Sequence, residues 1–215
     1  MPARFPHERE IFLVEEYGRR FILKWDKGGW GWGTEGPLEK FFWKLIRGPF
    51  YSRLMKRVDR AVRNGCDVVQ TIHLVAERRT LHYCHEAYVL MEYAEGETLM
   101  SVTGGFEIQY KMNEAEREPY DRRVLEAMTK LHRHDLASCD VNPKNFTLNG
   151  SRTTIIDLSC RGNSFIDQVK DAVRLKKTYN IDFPLKGWTR NSLYAILMTF
   201  QRVRKRYRKA RGKEW

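Results

Sequence analysis

The sequence predicts an α+β chain in two lobes, strand-rich over residues 1–94 and helical over residues 95–215. Apolar runs with strand-like character dominate residues 10–25 and 67–94. Beyond Asn113 the apolar residues instead recur at helical spacing. Between the two regimes, a continuous apolar run from Ala87 to Met91 gives way to the polar, loop-like Glu92-Tyr93-Ala94-Glu95-Gly96, which marks the boundary. A chain of 215 residues with 42% hydrophobic residues is long enough for one large domain or two small lobes with a core.

In order along the chain, "EIFLVEEYGRRFILKW" reads as two strands around a turn at Tyr17-Gly18. Phe21, Leu23 and Trp25 share one face of the second strand, leaving Ile22 and Lys24 on the other. The strand pattern by itself reads Lys24 as an edge-strand lysine whose stem snorkels to water. "KGGWGWGTEGP" is glycine-rich but fits neither G-x-x-x-x-G-K-[ST] nor a clean G-x-G-x-x-G, so it reads as a flexible connection with aromatic anchors. "PLEKFFWKLIRG" follows as a short helix, and Pro49 opens a second, with Leu54, Val58 and Val62 at helical spacing and Gly65 as its stop. Strands are expected in "DVVQTIHLVAERR" and "EAYVLMEYAEGETL". In the second half, Tyr120, Val124, Met128 and Leu131 line one face of a helix over residues 113–135. Two further helices are expected over residues 164–181 and 189–213, the latter intensely basic at its end. No internal repeat of solenoid period is present.

The formal net charge of +12 points to an anionic partner, which charge alone does not choose among nucleic acid, an acidic membrane surface or a phosphorylated substrate. Cys66, Cys84, Cys139 and Cys160 are scattered, without a C-x-x-C pair or a nearby histidine at ligand spacing, so reduced thiols are expected rather than zinc. No run reaches the roughly 18 apolar residues of a membrane span, and "MPARFPHERE" has no signal-peptide core, so the expected location is the cytoplasm.

The segment "ASCDVNPKNFTLNGSRTTIIDLS" carries chemistry. Asp140 precedes Asn145 by five residues, and Asp157 lies twelve beyond Asn145 at the end of the expected strand "TTIID". Phosphoryl transfer needs a carboxylate near the acceptor hydroxyl, oxygen ligands for magnesium and a cation on the nucleotide phosphates. Asp140, Asn145, Asp157 and Lys24 can supply these in that order. The competing reading is a polar loop with a turn at Asn142-Pro143 before a buried strand.

This run resembles the catalytic and metal-binding loops of the protein kinase-like fold, where Asp-x-x-x-x-Asn is followed by a second metal-binding aspartate. The resemblance implies a bilobal fold with a reduced strand-rich N-lobe. Asp140 is then the catalytic base, Asn145 and Asp157 the magnesium ligands, Lys24 the phosphate-binding lysine, and Met91, Glu92, Tyr93 and Ala94 a hinge that meets the adenine of ATP. More narrowly, residues 131–159 with "YGRRFILKW" and the basic C-terminal helix are similar to lipopolysaccharide core heptose kinases, with "IIDLS" as the most specific element. That similarity implies ATP and Mg2+ as cofactors and a lipopolysaccharide core glycolipid as acceptor. In "QRVRKRYRKARGK" eight of thirteen residues are Lys or Arg, which suits peripheral contact with the anionic inner face of the cytoplasmic membrane and would also serve nucleic acid.

Several positions depart from the protein kinase pattern. Ser138 and Cys139 replace the usual His-Arg before the catalytic aspartate, so support for that loop is expected from elsewhere. Asn142 stands where kinases acting on serine carry a lysine, which argues against a protein substrate. Leu158-Ser159 replaces Phe-Gly. Little chain remains for a phosphate lid, and Glu39 and Asp59 are the acids considered as partners of Lys24, with Asp59 ranked first. His132 and His134 do not share a helical face and read as helix-end histidines. The alternatives are a kinase of another small molecule, such as an aminoglycoside, and a silent kinase-like module that binds nucleic acid or membrane.

Overall fold

A computed structural model describes residues 8–27, 50–80, 83–105, 112–158 and 165–210. The glycine-rich segment, the helix expected over residues 37–48, Glu39, Ser159 and Cys160 lie outside these described residues. The chain is α+β, with a strand-rich N-terminal part and a helical C-terminal part, and it divides into two compact units, Met1–Ala94 and Glu95–Trp215.

The first unit contains a four-stranded antiparallel sheet of β1 (Glu8–Glu16), β2 (Arg19–Lys27), β3 (Ile72–Thr80) and β4 (Tyr83–Glu92), in the order β1-β2-β4-β3. Tyr17 and Gly18 both have positive φ, 48° and 71°. That two-residue loop has the twist a right-handed hairpin requires. Helix α1 (Phe50–Arg63) buries Tyr51, Leu54, Val58 and Ala61 and ends at Gly65, whose φ of 87° stops it as the sequence predicted. The Tyr51 backbone N–H donates to Glu77 Oε1 (3.2 Å) and the Ser52 hydroxyl to Glu77 Oε2 (2.9 Å), so a carboxylate from β3 satisfies the N-terminus of α1.

In the second unit, β5 (Glu97–Thr98), β6 (Phe146–Asn149) and β7 (Arg152–Ile155) form a small antiparallel sheet. Around it come α2 (Leu99–Thr103), α3 (Glu114–Arg133), α4 (Phe165–Tyr179) and α5 (Trp188–Ala210). Asn113 and Glu116 make a reciprocal capping box that starts α3. Val124, Ala127, Met128 and Leu131 of α3 join Phe146, Ile155, Val169, Ala172 and Leu175 in the core. Arg123 anchors α3 to β7 through its Nε on the Thr153 hydroxyl (3.1 Å) and a guanidinium N–H on the Arg152 carbonyl (2.6 Å). Gly96 is required where the chain enters this unit, because its φ is 108° and an added Cβ would lie 2.7 Å from the Leu148 carbonyl carbon.

Candidate active site

Lys24 and the hinge-like run belong to the first unit; Asp140, Asn145 and Asp157 belong to the second. Lys24 is not an edge-strand lysine. β2 is flanked by both β1 and β4, with Lys24 opposite Ile11 on one side and Val89 on the other. Only 9% of Lys24 is exposed, and Asp26, two residues on along the same face, is buried with it. The Tyr51 hydroxyl of α1 donates to Asp26 Oδ2. The other face, with Phe21, Leu23 and Trp25, is the less buried one. A lysine and an aspartate on the inner face of a central strand depart from apolar patterning, and buried charges persist only where other groups compensate them. Asp59 does not take that role as a simple inward-facing acid, since it accepts from Arg63 Nε at 3.0 Å on the exposed side of α1.

Met91 pairs with Ile22 across β2 and β4, which sets it on the Lys24 face. The following backbone is pinned: Glu92 N–H donates to Thr71 O (2.9 Å), Tyr93 N–H to Arg20 O (3.1 Å), and Gln70 Nε2 to Glu92 O (2.9 Å). The Arg20 guanidinium lies 4.6 Å from the centre of the Tyr93 ring.

In the second unit Asn145 is tied to Asp140 and to Ile156, the residue before Asp157. Asn145 closes a 3-10 turn, Pro143–Asn145, by donating its backbone N–H to Asn142 O (2.9 Å). Its side-chain Nδ2 donates to Asp140 O (3.0 Å), and its carbonyl accepts from Ile156 N–H (2.8 Å). Asp157 therefore leaves the hairpin immediately after a bond to Asn145. The sequence placed Asp157 at the end of a strand, but β7 stops at Ile155 because the Ile156 N–H goes to Asn145. Asp157 itself turns into the left-handed region, φ 57°.

With Nδ2 committed to Asp140, the Asn145 side chain has its oxygen left for a ligand, and no hydrogen bond to that oxygen occurs among the described residues. One amide oxygen and one carboxylate fit magnesium, which prefers oxygen and keeps water and phosphate oxygens for its remaining positions. The described residues hold no group of three or more His, Cys, Asp or Glu arranged to hold a metal ion. The Asp140 carboxylate is oriented by Asn142, whose Nδ2 donates to Asp140 Oδ1.

The support missing from Ser138 and Cys139 comes from Asp171 on α4. Its fully buried carboxylate accepts the Ser138 N–H at Oδ2 and the Cys139 N–H at Oδ1, both at 2.8 Å. His132 Nε2 lies 3.1 Å from the same Oδ2, and its ring packs edge-on to Phe183 at 4.8 Å. His132 does lie in the last turn of α3, as expected of a helix-end histidine, and there it also supports this loop through Asp171; His134 is the residue that caps α3. Ser138 Oγ donates to Asp140 O (3.1 Å), and Cys139 adopts φ 56° between these anchors. Sequence reasoning passed over Asp171, yet a signal was available. It sits with Gln168, Ala172, Leu175 and Tyr179 on the buried face of α4, where a carboxylate needs donors. Tyr179 is also buried, with no hydrogen-bond partner for its hydroxyl among the described residues; burial first, then the charges of Asp121 and Asp140, push its pKa well above the usual tyrosine value.

The model of one family, described as lipopolysaccharide core biosynthesis protein (WaaY), matches residues 34–213. The chain belongs to the WaaY family of lipopolysaccharide core biosynthesis proteins. It is 27% identical over 175 residues to the lipopolysaccharide core heptose(II) kinase WaaY of Escherichia coli K12, a match that covers 81% of this chain and 69% of that protein. A second Escherichia coli protein of the same name is 23% identical over 175 residues, covering 81% of this chain and 70% of its own length. The family match spans both the hinge-like run and the loop that holds Asp140, Asn145 and Asp157.

Proposed function

We propose that this chain is an ATP-dependent kinase that phosphorylates a heptose of the lipopolysaccharide inner core; its WaaY relatives are named lipopolysaccharide core heptose(II) kinases. The observation that supports the reading is the bonding of Asn145 Nδ2 to Asp140 O and of Ile156 N–H to Asn145 O, with Asp157 next in the chain, among residues whose oxygen groups are of the kind magnesium takes. Magnesium-bound ATP supplies the phosphoryl group and, through the ion, neutralises charge on the phosphates.

Asp140 does the acceptor's work. Asn142 holds its Oδ1, so Oδ2 accepts the heptose hydroxyl, aims it and receives its proton as the new bond forms. Asn145 and Asp157 would hold magnesium, and Lys24 would offer its ammonium to the nucleotide phosphates. Because Glu92 and Tyr93 already spend their N–H groups on Thr71 and Arg20, Ala94 provides the hinge N–H for adenine. The Glu92 carbonyl accepts from Gln70 and offers a second lone pair to the exocyclic amine. Met91 lines the entrance. No helix among the described residues is long and apolar enough to cross a membrane. We place the enzyme in the cytoplasm with the basic α5 in peripheral contact with the anionic inner leaflet.

Calorimetric titration with ATP tests the phosphate end. Wild type should bind ATP in a magnesium-dependent way, Asp157→Ala should lose at least about tenfold in affinity, or about 1.4 kcal/mol, and Asp140→Ala should bind nearly as wild type does. Equal binding by wild type and Asp157→Ala, or salt-sensitive RNA binding with no ATP binding, contradicts the reading.

A further inference from the structure

Helix α5 packs on α4 through one side, where Leu193, Tyr194, Leu197 and Met198 are half-buried. A different side carries a second apolar set. Ile196, Phe200, Val203 and Tyr207 are 64%, 62%, 57% and 55% exposed, far from the burial such side chains usually find. At 100° per residue they fall within an arc of about 60°, a continuous ridge rather than scattered exposure. The exposed Arg204 flanks the ridge on one side, and the exposed Arg202 and Arg206 flank it on the other. Residues 188–210 include no acidic side chain.

We propose that this ridge inserts into the surface of an anionic phospholipid bilayer, with α5 lying in the plane of the interface. The proposal rests on the peripheral-contact reading of the basic helix and goes beyond it by naming an apolar, penetrating contact. An interfacial helix buries its apolar side about 5–10 Å into the boundary between headgroups and acyl chains while basic side chains meet the lipid phosphates. The α5 ridge and its arginines supply both parts on adjoining strips. A second copy of the chain is a poorer occupant, because pairing two such ridges would bring Arg202, Arg204 and Arg206 against their own kind with no acid on the helix to offset them. Nucleic acid would use the arginines and leave the ridge in water.

The test is co-sedimentation of the full chain with vesicles of phosphatidylglycerol or of phosphatidylcholine at low and high salt. The variants are Ile196→Ser/Phe200→Ser/Val203→Ser and Arg202→Gln/Arg204→Gln/Arg206→Gln, with magnesium-dependent ATP binding followed on the same samples. Wild type should prefer phosphatidylglycerol and keep part of its binding at high salt. The ridge variant should bind about tenfold more weakly and lose what remains to salt, while the arginine variant loses the lipid preference. Unchanged ATP binding shows that the variants are folded and keeps the kinase reading separate. Equal binding by wild type and the ridge variant, both released by salt, overturns the ridge and leaves a purely electrostatic contact. No vesicle binding, with a dimer abolished by the ridge substitutions or with salt-sensitive RNA binding instead, overturns both the ridge and the membrane contact.

Discussion

Asp171 anchors the backbone just ahead of the proposed catalytic aspartate, although 33 residues separate it from Ser138. Replacing it by asparagine would leave one acceptor oxygen for the two backbone N–H groups of Ser138 and Cys139 and present an amide N–H₂ to one of them. A buried N–H left unsatisfied costs about 1–3 kcal/mol. Asp171→Asn should therefore lower stability by about 2–3 kcal/mol in urea denaturation, and kcat should fall more than ATP affinity, since the substitution disturbs the backbone just ahead of Asp140 rather than the proposed magnesium ligands directly. The residues of this site differ in how they can be read. Asp140, Asn145 and Asp157 could be proposed from the sequence because the pattern that suggests them is one of local spacing. Asp171 and His132 were not, because each acts through a partner that only folding brings near, and a helical acid or histidine by itself has many ordinary uses.

At the scale of elements, local signals located most of the structure. The Tyr17-Gly18 turn, the Gly65 stop and the helices after Asn113 all follow from turn chemistry, capping and periodicity. The edge-strand reading of Lys24 failed for a reason of topology: whether a strand is an edge or an interior one depends on which distant strand joins it, and β4, which covers the open side of β2, lies some sixty residues on. The end of β7 was likewise set by a bond to Asn145 outside the ladder. Gly96, by contrast, has a role its sequence context did not reveal. It lets the chain run against the β6 backbone at Leu148. Gly96→Ala should destabilise the β5–β6 pairing by about 1–3 kcal/mol from its backbone conformation alone, with the contact to Leu148 adding to that. Thermal unfolding checks this, and an alanine variant as stable as wild type would mean that the two segments do not approach so closely.

For the whole molecule, the net charge of +12 proved uninformative about partners until it was resolved onto elements. On α5 it adjoins an exposed apolar ridge, and that pairing is what the proposed lipid contact rests on. The α+β class was legible from the change in periodicity between the two halves of the chain. Family membership came from motifs on both sides of that change and is shown by the match over residues 34–213. The acceptor is the least legible part, since phosphate chemistry reuses a few residue types whereas a sugar is recognised by pocket detail that short motifs do not encode.

The central claim is phosphoryl transfer to a core heptose with Asp140 as its acceptor-side carboxylate. Its most direct measurement incubates the purified chain with magnesium, labelled ATP and dephosphorylated lipopolysaccharide core, then locates the label by mass spectrometry. Wild type should phosphorylate a heptose, and Asp140→Asn should reduce kcat by about 10²–10⁴-fold. No transfer to any core heptose by wild type, or equal turnover by Asp140→Asn, would contradict the account.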